Sequence, residues 1–153
     1  ARGGVNDALA KALELENIAP LAENDGGDFP PMGRTGTLKR PMSDRDFAMF
    51  VAEKLSTKAK AVLSGKEIAK VALCGGAGED FIDPALKAGA DALVTADVKH
   101  HNLLLARSLG LCLIDAGHFE TENVVVPILA EKLAAFSAAE TVIIPQFPPA
   151  VWF

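Results

Sequence analysis

The chain has few cysteines, no long apolar run and no block of basic residues, and each absence excludes a class of protein. Its 153 residues include two cysteines. Cys74 and Cys112 each lie in a short apolar run and lack the clustered spacing of a cysteine zinc site, so we expect buried free thiols in a reducing compartment, the cytoplasm. No run approaches the roughly 20 apolar residues of a membrane span. The net charge of −5 without a Lys/Arg block argues against a nucleic-acid-binding face.

The remaining composition is that of an ordinary globular domain. Half of the residues are hydrophobic and 23% are charged. A chain this long buries roughly 70% of its unfolded surface, so it needs neither a disulfide nor a metal to fold. The first residue is Ala1 rather than Met, and a helix-like pattern begins at once. We therefore expect a processed or cut N-terminus.

Strand-like and helix-like patterns alternate from residue 61 onward. The predicted strands are 70–74, 91–96, 111–117 and 141–145, with a further candidate at 61–65. The predicted helices lie around 84–88, 99–109 and 119–136. Strands that alternate with helices predict an α/β layered fold, in which a mostly parallel central sheet is flanked by helices.

The first 60 residues are less regular. Apolar residues at helical spacing predict a helix over 5–15, and the Gly- and Pro-rich stretch 20–37 predicts an irregular connection that ends near a short strand at 36–38. Ser43, followed by two acidic residues, is typical of a helix start, because its hydroxyl can cap the first turn.

A glycine-rich turn, Cys74–Phe81, follows the strand 70–74. Such a turn can bind phosphate through backbone N–H groups. However, Glu79 and Asp80 stand where a phosphate-binding loop needs Lys and Ser or Thr. A tight turn that needs glycine backbone angles is the favoured interpretation, and phosphate binding remains the alternative.

Asp97 and the pair His100-His101 follow the next strand, where it becomes a helix. Asp97 has two interpretations, a helix cap or a site residue. Adjacent histidines on a helix point about 100° apart, so both rarely bind one metal. We expect at least one of them to have a site role and prefer His101.

His118 and Glu122 follow the third strand end, in the run Asp115–Glu122. Four residues apart, they share one face of a helix. An imidazole and a carboxylate on one face can bind a zinc, iron or manganese ion. The alternative is a solvated helix face, since this spacing is common.

The segments GGAGEDF, GADALVTADVKHH and LCLIDAGHFETE, in that order, resemble the Nif-three-like proteins. Bacterial members are called GTP cyclohydrolase I type II homologues. The opening GGVNDALAKALEL and the segment GRTGTL resemble further family segments, so the resemblance covers nearly the whole chain. It implies the C-terminal portion of such a protein, lacking its N-terminal part. Residues 1–60 would complete an upstream domain, and residues 61–153 would form a βαβ-type domain with the GHxxxE motif.

The resemblance implies a site for two divalent transition-metal ions, zinc, iron or manganese. His118 and Glu122 match two of its ligands. The other ligands, an early His pair and an Asp, would precede Ala1, so we expect that this chain cannot complete the site alone. Asp97 and His101 match a segment that lies near the site, so both are candidate catalytic residues. His101 is our candidate for proton transfer or substrate contact.

Two functions follow from the resemblance. The first is a dinuclear metal-dependent hydrolase acting on a nucleotide-like or phosphorylated small molecule, as the GTP cyclohydrolase name suggests. The alternative is a non-catalytic metal-binding scaffold or regulatory interaction factor. Family members form hexamers, so a homo-oligomer is expected here.

Overall fold

A computed structural model describes residues 3–21, 32–137 and 140–149. It shows a six-stranded sheet with helices packed against it. The strands are β1 (Glu16–Pro20), β2 (Arg34–Ser43), β3 (Lys60–Val62), β4 (Glu67–Ala77), β5 (Ala92–Ala96) and β6 (Cys112–Asp115). The helices are α1 (Val5–Ala12), α2 (Asp44–Lys54), α3 (Ile82–Lys87), α4 (His100–Leu109), α5 (His118–Asn123) and α6 (Val125–Phe136).

The sheet has the strand order β1-β2-β4-β5-β6-β3. Its centre, β4-β5-β6, is parallel, and α3 and α4 connect these strands in turn. The outer pairs β1-β2, β2-β4 and β3-β6 are antiparallel. The α/β layered fold is therefore confirmed, with its parallel strands in the middle of a mixed sheet. The carboxyl ends of three parallel strands meet at one edge, where ligands gather in such folds.

Alternate residues of the central strands fill two cores, one on each face of the sheet. Val71, Val94 and Ile114 face the core that contains α1 and α2. Ala72, Leu93 and Leu113 face the core that contains α3 and α4. This two-residue period is expected of strands covered on both faces. Both predicted free thiols are buried, and burial raises the pKa of Cys112 to about 12.

The N-terminal part contains more strand than the sequence predicts. Residues 16–20 and 34–37 pair as β1 and β2, although the first lies beside a predicted helix end and the second in a predicted irregular connection. Residues 22–31 lie outside the described residues. All five residues of β1 are exposed, so its pattern carries no alternation to reveal it. Because β2 pairs with β4, the sheet crosses the boundary predicted at residue 60.

Near the C-terminus one prediction is wrong, and another is correct except at one residue. Residues 141–145 form no strand, and Val142 and Ile144 are exposed. Strand-forming residues become a strand only beside a partner that accepts their backbone hydrogen bonds. The helix predicted over 119–136 is divided into α5 and α6 at Val124. Pro127 explains the division, because it offers no N–H to the carbonyl of Asn123 and its ring crowds that carbonyl.

The helices in the described part of the chain include none that is both long and apolar enough to cross a membrane.

Candidate metal site

The candidate site lies at the carboxyl ends of β4, β5 and β6. Asp97 directly follows β5, and His118 begins α5 just after β6. Gly117, with φ +87°, makes the turn between β6 and α5, a backbone angle that glycine adopts readily. Asp97 has φ +55°, in the left-handed region that Asp and Asn tolerate best among residues with a side chain.

The closest polar contact of the site joins His118 to Asp97. The Nδ1 atom of His118 lies 2.5 Å from Oδ2 of Asp97. A carboxylate cannot donate, so Nδ1 carries the proton and Nε2 keeps its lone pair when the ring is neutral. This hydrogen bond raises the pKa of His118, and the negative charges of Glu122 and Asp97 raise it further.

Glu122 stands on the other side of the same imidazole. Its Oε2 atom lies 3.5 Å from Nε2 of His118, one helical turn away on α5. Both side chains are about half exposed, at 49% for His118 and 48% for Glu122. The free nitrogen and the carboxylate therefore converge on one accessible point, as the four-residue spacing predicts.

A cavity of about 550 Å³ opens at this point and is strongly acidic. Its lining includes four carboxylates, those of Asp97, Asp115, Glu120 and Glu122. The charge of Asp115 is offset by Lys60, whose Nζ atom lies 3.1 Å from Oδ2 of Asp115. The other three have no cation within salt-bridge distance among the described residues apart from His118 itself. This charge favours cations over free anions in the cavity.

Two amides of the glycine-rich turn already donate to side chains of the fold. The N–H of Gly75 donates to Oδ1 of Asn6 at 2.8 Å, and the N–H of Gly76 donates to Oγ1 of Thr121 at 3.0 Å. A Cβ on Gly78 would lie 2.5 Å from Oγ1 of Thr95. The turn is thus used for close packing, in agreement with the favoured interpretation.

Thr95 and Thr121 are buried residues of the site that the sequence did not single out. Both side chains are fully buried. Threonine in a strand and a helix turn is too common to attract notice. Only their position could have indicated that they belong to the site, since each lies within three residues of Asp97 or His118 at a strand end.

His100 and His101 are exposed in the first turn of α4. Within the described part of the chain, neither imidazole has a hydrogen bond or ion pair. The structure thus brings Asp97, His118 and Glu122 together and leaves His101 without a contact to them. The assignment of His101 stays a prediction.

The donor chemistry of this pair fits a transition-metal ion. A metal-binding histidine typically donates its second ring N–H to a carboxylate, which is how Asp97 holds His118. Among the described residues, no group of three or more His, Cys, Asp and Glu side chains is arranged to hold a metal. Two side chains, those of His118 and Glu122, are therefore the candidate ligands among the described residues.

Comparison with known proteins places these features in a family. The profile described as Duf34/NIF3 (NGG1p interacting factor 3) matches residues 1–148. A protein of Haemophilus influenzae named GTP cyclohydrolase 1 type 2 homolog is 36% identical over 133 residues, which are 86% of this chain and 51% of that protein. The chain thus spans about half the length of this relative.

Two solved structures share the fold. The Bacillus cereus protein related to NIF3 superposes with a TM-score of 0.83 over 100% of this chain and 70% of its own, at 22% identity. Reduced HcgD from Methanocaldococcus jannaschii superposes with a TM-score of 0.72 at 31% identity, over 88% of this chain and 52% of its own.

Proposed function

The chain belongs to the Duf34/NIF3 family, and from this membership we propose that His118 and Glu122 bind a divalent transition-metal ion. The hydrogen bond between Asp97 and His118 carries the proposal, because in the neutral ring it leaves the lone pair on Nε2, the nitrogen that lies beside Glu122. The acidic cavity supports it, since bound cations would offset the clustered carboxylates. Zinc, iron and manganese suit this mixed nitrogen and oxygen donor set.

The whole protein, we infer, uses this site for hydrolysis of a nucleotide-like or phosphorylated small molecule. The name of the Haemophilus influenzae relative points to a nucleotide substrate. A site with two metal ions supplies a water of lowered pKa and offsets charge on attacking and leaving oxygens. Within this chain, Glu122 and His118 would hold ions, Asp97 would fix the imidazole tautomer, and His101 is the candidate for proton transfer.

The cavity's charge is relevant to that substrate. Without bound cations, carboxylates at the cavity wall would repel a phosphate. An anionic substrate would therefore bind only to the metal-loaded protein. A scaffold without catalytic activity is the second candidate, and the family's description as an interacting factor favours it.

Assembly with further copies of the chain is also proposed. No residue of α6 is fully buried, and Leu129, Leu133 and Phe136 on it are exposed. Exposed apolar surface of this kind is typical of a protein interface. It supports the homo-oligomer that the family resemblance implies.

Replacement of both proposed ligands tests metal binding. In the whole protein, we expect the double variant His118→Ala, Glu122→Ala to lose the zinc that the unaltered protein retains after equilibration with Zn²⁺ and gel filtration, as measured by elemental analysis. His100→Ala is the matched control, because it removes an exposed histidine outside the cavity lining. Equal zinc content in the double variant and the control would exclude this site.

A substrate screen separates the two functions. Zinc- or manganese-loaded protein should hydrolyse at least one nucleotide or phosphoester, and His101→Ala should lower the rate while metal content stays constant. Normal metal content without any turnover would favour the scaffold.

A further inference from the structure

The backbone of β4 is irregular beside the candidate metal site. Leu73 pairs with Val94 and Ala77 with Ala96, so four residue steps on β4 face two on β5. The extra residues form a bulge, and Gly76 within it has φ +69°. Bulges with a left-handed glycine redirect a strand and are common next to functional sites. Here the bulge is directed toward α5.

The missing side chain of Gly76 leaves space that the proposed ligands occupy. A Cβ at this position would lie 2.7 Å from Oε1 of Glu122 and 3.1 Å from Nε2 of His118. Ordinary van der Waals contact begins near 3.4 Å. The two atoms that would be displaced are the donor atoms themselves.

Hydrogen bonds hold the Gly76 peptide group against α5 and β5. Its N–H donates to Oγ1 of Thr121 at 3.0 Å, and its carbonyl accepts from Oγ1 of Thr95 at 3.0 Å. Thr121 in turn donates within α5, where the carbonyls of Gly117 and His118 lie 2.8 and 3.0 Å away. The glycine cannot retreat from the ligands without breaking bonds between fully buried groups.

We propose that Gly76 is a positioning residue of the metal site: its lack of a side chain lets Nε2 of His118 and the carboxylate of Glu122 approach each other, and Thr121 fixes that approach. This inference rests on the proposed metal binding. The ligand side chains end in flexible, half-exposed groups, so they can turn away from an added methyl group. A substitution at Gly76 therefore affects the site more than the fold.

Gly89 offers a matched control. It has φ +68°, so alanine there meets the same backbone strain, yet a Cβ would have no neighbour within 4 Å. Gly76→Ala and Gly89→Ala thus differ in their contact with the ligands rather than in backbone angle. Comparison of the two separates displacement of the ligands from loss of glycine flexibility.

The test is titration with Co²⁺ alone, followed by visible absorption, with thermal unfolding measured in parallel. We expect Gly76→Ala to weaken Co²⁺ binding about tenfold or more and to change the ligand-field spectrum, as loss of support around a ligand typically does. Gly89→Ala should bind as the unaltered chain does, even if its unfolding temperature falls. Equal affinity in both variants would overturn the positioning role.

A shorter ligand should relieve the effect. Glu122→Asp withdraws the carboxylate from the added methyl group. In the Glu122→Asp background, Gly76→Ala should therefore lower Co²⁺ affinity less than about threefold. A double-mutant cycle measures this coupling. If Gly76→Ala does not fold, Thr121→Val should weaken Co²⁺ binding while Thr121→Ser retains it. Equal binding by those two variants would also contradict the inference. All variants are made in the whole protein, and absence of Co²⁺ binding by the unaltered whole protein would instead contradict the proposed metal site.

Discussion

The protonation of one imidazole decides what the candidate site can bind. When its ring is neutral, His118 presents Nε2 with a free lone pair, because Asp97 accepts the proton of Nδ1 at 2.5 Å. The residue types and the four-residue spacing were readable from the sequence. The contact with Asp97, 21 residues earlier, was not, because it depends on two strand ends meeting at the edge of the sheet.

Asp97→Asn tests this orientation. Asparagine tolerates the backbone angle of Asp97, so the main effect is loss of the negative acceptor. We expect zinc affinity to fall about 10- to 100-fold by calorimetry. The pKa of His118 should fall as well, because the hydrogen bond to Asp97 is the largest cause of its elevation.

The sign of that pKa change sharpens the interpretation. A lower pKa weakens the competition of protons for Nε2, which by itself would favour metal binding near neutral pH. A loss of affinity in Asp97→Asn therefore reports orientation rather than protonation. Asp83→Asn, which alters an exposed ion pair with Lys87, is the control. Unchanged zinc affinity in Asp97→Asn would contradict the orienting role.

At the scale of helices and strands, the sequence predicted those elements whose formation depends on nearby residues. The start of α2 was readable from Ser43, whose Oγ accepts the N–H of Asp46 at 3.1 Å. The buried strands β4, β5 and β6 were readable from their apolar runs. By contrast, exposed β1 and the segment 141–145 depend on neighbours that no local pattern reveals.

Ser43→Ala should weaken α2 and the fold together. Loss of a side-chain cap costs about 1 kcal/mol of unfolding free energy. In a domain of this size, that lowers the unfolding temperature by roughly 2–4 °C. Ser43→Thr, which keeps a capping hydroxyl, should recover most of the loss in a denaturant titration. Equal destabilisation by both substitutions would show that the hydroxyl does not cap α2.

At the scale of the whole molecule, one mixed sheet brings the candidate site together. Asp97 follows β5, while His118 and Glu122 follow β6, and Gly76 lies at the end of β4. The alternation of strands and helices predicted that these ends meet. It did not predict the bulge at Gly76, because a bulge depends on the register between β4 and β5, which a Gly-rich sequence alone does not determine.

The chain spans about half of the Haemophilus influenzae relative, 51% of its length. The second metal ion, the substrate and the oligomer therefore remain proposals for the whole protein. Metal binding by His118 and Glu122 is the claim on which they depend.

Nitrogen-15 NMR of the imidazoles tests that claim most directly. The chain has three histidines, so each ring can be assigned and followed as Zn²⁺ is added. We predict that Nε2 of His118 moves to the chemical shift of a metal-bound nitrogen while its Nδ1 keeps a proton, and that His100 is unchanged. A His118 ring that does not respond to Zn²⁺, or that binds through Nδ1, would contradict the account.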